Sequence, residues 1–523
     1  MRTEMRHFKT LTKSVTATFL VIVASMLFAS SAVQAASKTF TYAMYGDVKD
    51  WDPASAFSLE VMMLANVYEP LVWYNPPGSK EQFTPALASS WSVSDDGLTW
   101  TFKLRKNVKF HDGEAFDAKA AKGALDRTIS MKKGAYYIWS SVESITAVDS
   151  YTLVIKTKTP QPLDLVASSQ YGAYIYSPKA AEKGADWFNQ GNAAGTGPYK
   201  VRQWDKAQQV VLEKNADYWG GWTDSNFDRV ILKVVTENST QLQMLKAGEA
   251  QYISLVPADM VESVNQESKL SAYAVPSWKN SQFLINTQKA PTDNKKFRQA
   301  LTHLWDYDTV VKDIYAGYAE VARGPVPATM WGHNSAIKAP SFDLNKAKQL
   351  LIESGVTPSE WNVSMAYIGT SEAYKNSALL FQENARQAGV TVELLPGTWS
   401  NIWDKAKNLE TAPNLQSMTW WPTYATPNDW LIGLFRTEKK ALFNLSHYSN
   451  PEFDKVLNKG VELEGSNRKK AIQLYGEAQQ ILMDDAVAIF YADIKRRVAR
   501  DSGIKGLQAN PAYDAVFFHK LSR

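Results

Sequence analysis

The sequence contains no cysteine in 523 residues. This excludes disulfide scaffolds, thiolate zinc sites, iron–sulfur ligation and cysteine nucleophiles. Histidine is scarce, at six. His7 lies in the basic leader described below. His111, His303, His333, His447 and His519 are far apart, and no pair has the i, i+4 spacing of a helical metal site. The sequence lacks GxSxG, HExxH, GxxxxGK[ST] and a GxGxxG at a strand–helix junction, so no hydrolase, zincin, phosphate-loop or dinucleotide signature is present. Carboxylate pairs such as Asp95-Asp96 and Asp484-Asp485 read as solvated turns, not an acid/base dyad. No stretch after the leader reaches the 18 or so apolar residues of a membrane helix. There is also little net charge. The formal balance is +4, from 57 basic and 53 acidic residues. The first 35 residues carry four of those basic residues and Glu4, which leaves +1 for the rest. A nucleic-acid partner is not expected on that balance, and the run Lys495-Arg496-Arg497 with Arg500 reads as a solvated face.

The N-terminus has the organisation of an export signal. Arg2, Arg6, Lys9 and Lys13 precede an uncharged run from Val15 to Phe28, and Val33-Gln34-Ala35 fits a small-residue cleavage site. Residues 1–35 are therefore expected to be a signal peptide, cleaved after Ala35 or Ala36, with a periplasmic mature chain. No cysteine is available to anchor that chain to lipid.

Along the mature chain two patterns interleave. Phe40–Met44, Thr99–Leu104, Thr152–Lys156, Gln209–Glu213 and Val230–Val235 read as strands. Val61–Val67, Ala118–Arg127, Thr240–Ala247, Lys296–Tyr307, Asn345–Glu353, Asn376–Ala388 and Arg468–Met483 read as helices, the last capped by Ser466. Gly355 and Gly389 sit where helix C-caps belong. Gly195-Thr196-Gly197-Pro198 reads as a structural turn, because proline blocks a phosphate-cradling helix start. The fold class is α/β with α+β character, and no linker composition marks a domain boundary.

What is abundant is aromatic surface: 18 Trp and 24 Tyr, with aromatics at 12% overall. Trp399, Trp403, Trp420, Trp421, Tyr424 and Trp430 cluster with Asp429 in the last third. Indole faces beside one carboxylate suit a solute with flat or apolar parts. On a strand, Trp420 and Trp421 point to opposite faces, one inward and one toward a surface.

The stretch Pro85–Ala121, PALASSWSVSDDGLTWTFKLRKNVKFHDGEAFDAKAA, resembles the signature of family 5 extracellular solute-binding proteins. Trp51-Asp52-Pro53, VYEPLV (67–72), GTGPYKV (195–201), KNADYWGG (214–221), LKAGEAQ (245–251), FRQALTH (297–303) and YSNPEFDKVL (448–457) continue the resemblance in order. It implies a two-lobed periplasmic-binding-protein fold, class II-like, with an extra subdomain in the first lobe. The implied boundaries are 37–279 for lobe one with 75–194 as the subdomain, 280–492 for lobe two, and 493–523 returning to lobe one. It further implies a monomeric receptor without catalysis or cofactor. That receptor would capture a peptide or similar solute and hand it to the permease subunits of an ABC importer. An oligosaccharide or other neutral solute is the alternative ligand, and an exported hydrolase the alternative of another class. By carry-over, Trp399 and Trp421 line the ligand pocket with Trp403 beside them, and Tyr45, Asp47 and Trp51 face it from lobe one. Where peptide receptors of the family carry an aspartate for the peptide amino group, this sequence has Tyr424. Asp429 is the one carboxylate close enough in sequence to replace it.

Overall fold

The computed structural model describes residues 38–523, so the expected export segment lies outside the described residues. The chain forms two α/β lobes that share an 11-stranded sheet. From one edge the strands run Thr391–Gly397, Asn362–Ile368, Leu415–Trp420, Leu270–Ile285, Ala488–Asp501, Tyr252–Ile253, Thr39–Met44, Arg229–Val234, Gln209–Lys214 and Tyr199–Asp205, with Ala319–Glu320 beside the fifth. Each lobe is built on parallel pairing. In one, Thr39–Met44 lies between two parallel neighbours; in the other, Asn362–Ile368 does.

Two strands belong to both lobes. Leu270–Ile285 and Ala488–Asp501 are antiparallel partners, and their ladder breaks between the pairs Val275–Arg496 and Lys279–Ile494. Pro276, Ser277 and Trp278 there face Lys495 alone, and the Lys495 amide donates instead to Tyr318 at 2.9 Å. A proline has no amide for the ladder, so the break falls where the sequence supplies one.

A separate antiparallel sheet orders Ala88–Val93, Thr99–Leu104, Thr152–Thr157 and Val142–Asp149. Its alternation buries Trp100, Phe102 and Leu104 beneath the helix Ala118–Met131, which contributes Ala121, Ala124 and Leu125. Asp117 caps this helix by accepting from the Ala120 amide at 2.9 Å. Arg127 on the same helix grips the buried Asp52 carboxylate through both oxygens, at 2.8 and 2.5 Å. The turn 195–198 explains its glycines: a Cβ on Gly195 would lie 2.0 Å from the Val67 carbonyl oxygen, and one on Gly197 2.6 Å from that of Asn66.

Three readings from sequence need correction. The helix expected over 296–307 is Lys295–His303; the chain then turns, and Asp306 caps a new short helix at Tyr307. The cap of the helix Arg468–Asp485 is Asn467, not Ser466, because Asn467 Oδ1 reaches the Lys470 amide at 3.1 Å. The basic run 495–497 is not a solvated face. It lies on the shared strand Ala488–Asp501, where the Arg496 side chain is only 16% exposed and pairs with Asp514.

Candidate functional site

In the lobe built on Asn362–Ile368 the strands end at a chamber that a loop of the other lobe closes, and open α/β sheets bind ligands beyond the carboxyl ends of such strands. The chamber there is about 380 Å³. Ile368 and Trp420 reach it from strand ends, Trp399 from the first turn of the helix Trp399–Ala406, and Trp421 from the residue after Trp420. Tyr374 and Phe443 complete that wall, and Phe57 and Ser58 close it from the other lobe. The rings hold one another in place. Trp399 stacks on Trp403 (6.3 Å, 17°), Trp403 on Phe443 (5.9 Å, 24°), and Trp420 on Trp421 (6.3 Å, 28°). Phe57 approaches Trp421 at 6.5 Å. At the floor, Tyr374 and Ser281 meet the Thr419 hydroxyl at 2.6 and 2.7 Å. The result is a largely apolar slot with aromatic walls and hydroxyls at its base, suited to a flat or apolar part of a solute.

The loop after Trp421 is clasped by the opposite lobe. Ser169 donates to the Thr423 carbonyl at 2.7 Å, Gln170 to that of Pro422 at 2.7 Å, and the Tyr137 and Thr423 hydroxyls meet at 2.8 Å. Tyr424 and Asp429 do not face the aromatic chamber. They line a neighbouring cavity of about 430 Å³, partitioned from it by Trp420 and Phe443. The Tyr424 hydroxyl donates to Asn428 at 2.6 Å, and an Asp429 oxygen accepts from the Thr423 amide at 2.7 Å. Asp429 therefore braces the loop of Trp421 and does not fold back to the position of an amine anchor in the chamber.

Asp429 is 3% exposed. Burial pushes its carboxyl up to about 7 against the hydrogen bonds from Thr423. A carboxyl raised in the folded state contributes stability that is full below its ordinary value near 4 and is lost as pH climbs to about 7. Asp429→Asn carries no such penalty. The melting-temperature difference between variant and parent should thus move in favour of the variant from about pH 5 to about pH 8. A pH-independent difference would show that Asp429 titrates normally.

The remaining expected residues fall elsewhere. Trp51 is fully buried; it packs on Trp204 at 5.1 Å, and its amide donates to Asn189 at 2.9 Å. Asp47 accepts from Trp204 Nε1 at 3.2 Å and the Ala207 amide at 2.7 Å. Both tie the loop to the hairpin behind it, and neither lines the aromatic chamber. Trp403 backs Trp399; its Nε1 donates to the Leu442 carbonyl at 2.7 Å. Tyr45 lines a third cavity of about 220 Å³ beside the shared strands. Sequence reasoning missed Phe57, Tyr374 and Phe443. Phe57 follows the expected loop by six residues, and the other two carry no local signal. His447 Nε2 is engaged with the Ala406 carbonyl at 2.8 Å. Among the described residues no group of three His, Asp or Glu could hold a metal ion, and no helix is long and apolar enough to cross a membrane.

The profile of bacterial extracellular solute-binding proteins, family 5 (middle region), matches residues 82–441. The chain belongs to this family. Among family 5 relatives, the probable D,D-dipeptide-binding periplasmic protein of Escherichia coli is 29% identical over 86% of this chain and 87% of its own length. A glutathione-binding protein of Pectobacterium atrosepticum is 29% identical over 95% of each chain. The solved periplasmic binding protein DppA of Helicobacter pylori, associated with an ABC transporter and bound to the peptide STSA, superposes with a TM-score of 0.80. It is 26% identical, covering 92% of this chain and 98% of that one. The family 5 fold thus accounts for the two lobes and the shared strands.

Proposed function

We propose that this protein is the periplasmic receptor of an ABC importer. It captures a peptide or similar small solute between its lobes and delivers it, chemically unchanged, to the permease. The observation that carries the reading is the aromatic chamber. It lies at the carboxyl ends of parallel strands, has walls from both lobes, and no acid/base constellation lines it. Family membership and the names of the relatives support the same role. In this reading lobe one comprises 37–279 and 493–523, with 75–194 as an inserted subdomain, and lobe two comprises 280–492. The receptor acts as a monomer after loss of residues 1–35. The solute contacts are Trp399, Trp421, Tyr374 and Phe57, with Trp403 as support. The chamber has no free carboxylate, which favours solutes not anchored by a cationic amine.

Native mass spectrometry of protein released by osmotic shock, without refolding, tests this. The expected spectrum contains a small solute at one equivalent, which Trp421→Ala depletes. Recovery of hydrolysed products from added peptides, or retention of the protein in the cytoplasm, would overturn the reading.

A further inference from the structure

The third cavity, where Tyr45 lies, has a charge composition that the aromatic chamber lacks. Lys279, Lys495, Arg496 and Arg497 all line it, and Asp514 is the one carboxylate among its lining residues. Asp514 is saturated: one oxygen takes Lys279 at 2.9 Å and the other takes Arg496. Lys495 has its partner outside the lining set, in Glu320 at 2.8 Å. Arg497 forms no ion pair among the described residues. Its Nε donates to the Val256 carbonyl at 2.7 Å, and its guanidinium lies 5.0 Å above the Tyr318 ring. Four cations thus have two ion-paired carboxylates, Asp514 and Glu320, and Asp259 acts on Arg497 without an ion pair, so the cavity between the lobes carries a net positive charge. Burial draws the Arg497 guanidinium below its ordinary value, with Tyr318 and Asp259 opposing. A partly desolvated guanidinium with no ion-pair partner is stabilised when an anion joins it.

The cavity adjoins the chamber. Ala373 lines one and its neighbour Tyr374 the other. A small cleft between them is lined by Trp421 together with Lys279, Arg496 and Asp514. Tyr45 adds a phenol that burial and Asp514 keep protonated, hence a neutral donor to an oxyanion.

We propose that the captured solute carries a carboxylate, seated in this cavity against Arg497 and the Lys279–Asp514–Arg496 cluster, while its apolar part fills the tryptophan chamber. This rests on the reading that solute is enclosed between the lobes, and it narrows the substrate class to amphipathic acids. A neutral oligosaccharide does not meet this requirement.

The test uses calorimetry on the mature protein, stripped of bound solute, with matched probes: N-acetyl-phenylalanine and N-acetyl-tryptophan, each against its carboxamide. The acids should bind at least about tenfold more tightly than the amides, and added salt should narrow the gap. Arg497→Gln should remove most of the acid preference and leave amide affinity unchanged, and Arg497→Lys should restore part of it. Equal binding of acid and amide, an acid preference that survives Arg497→Gln, or no binding of either acid overturns the inference. If acid and amide bind alike and Trp421→Ala weakens both, the chamber reading stands and only the anionic site falls.

Discussion

Asp52→Ala is expected to destabilise the protein by about 3–5 kcal/mol, the usual cost of removing one partner from a buried ion pair. The Asp52 carboxylate is wholly buried. Both oxygens take the Arg127 guanidinium, and one also accepts from the Ala54 amide at 3.0 Å. That carboxylate is the first cause of the raised Arg127 pKa. Truncation leaves the guanidinium between Tyr176 and Phe188, which it faces at 5.4 and 5.3 Å, with no anion. It also frees the loop that carries Phe57 and Ser58 to the chamber, so solute affinity should fall along with stability. Urea denaturation of parent, Asp52→Asn and Asp52→Ala measures the first effect, with asparagine intermediate because it keeps an acceptor. A loss under about 1 kcal/mol for alanine would mean that water reaches Arg127 and the pair behaves as a surface one.

Trp421→Ala should weaken solute binding by about 1–3 kcal/mol, the range for a central aromatic anchor. Trp421 is only partly buried; its ring touches Phe57 across the cleft and Trp420 beside it. Removing it takes away one wall of the slot and the direct aromatic contact between lobes. The solute-free protein should melt close to the parent, and Trp421→Phe should retain much of the affinity. Calorimetry with the co-purified solute decides. Unchanged affinity with a large drop in melting temperature would make Trp421 a packing residue instead.

Much of the fold could be read from periodicity and caps. The alternation of Thr99–Leu104 marked a half-buried strand, and Gly389 ends its helix with φ of 88° as a C-cap should. Trp399 and Trp421 were placed by motif resemblance, and both line the chamber. The failures share one cause, which is that burial depends on contacts distant in sequence. Trp51 and Asp47 belong to a ligand-facing loop by motif, yet the hairpin carrying Trp204 claims both. Arg496 looked solvated beside Lys495 and Arg497, and only its pairing with Asp514, a loop residue brought to the shared strands, reveals a buried charge. The three-residue break opposite Lys495 left no trace beyond Pro276, since register is a property of two strands at once.

Bending can be concentrated at 276–278, where the ladder is already interrupted, so the lobes can part while the hydrogen-bonded pairs on either side stay whole. The rate of solute release is then governed by the contacts across the cleft, such as those of Ser169, Gln170 and Tyr137 with the 422–423 loop, and by the solute itself. Selection can therefore tune delivery through these few buried polar contacts between the lobes.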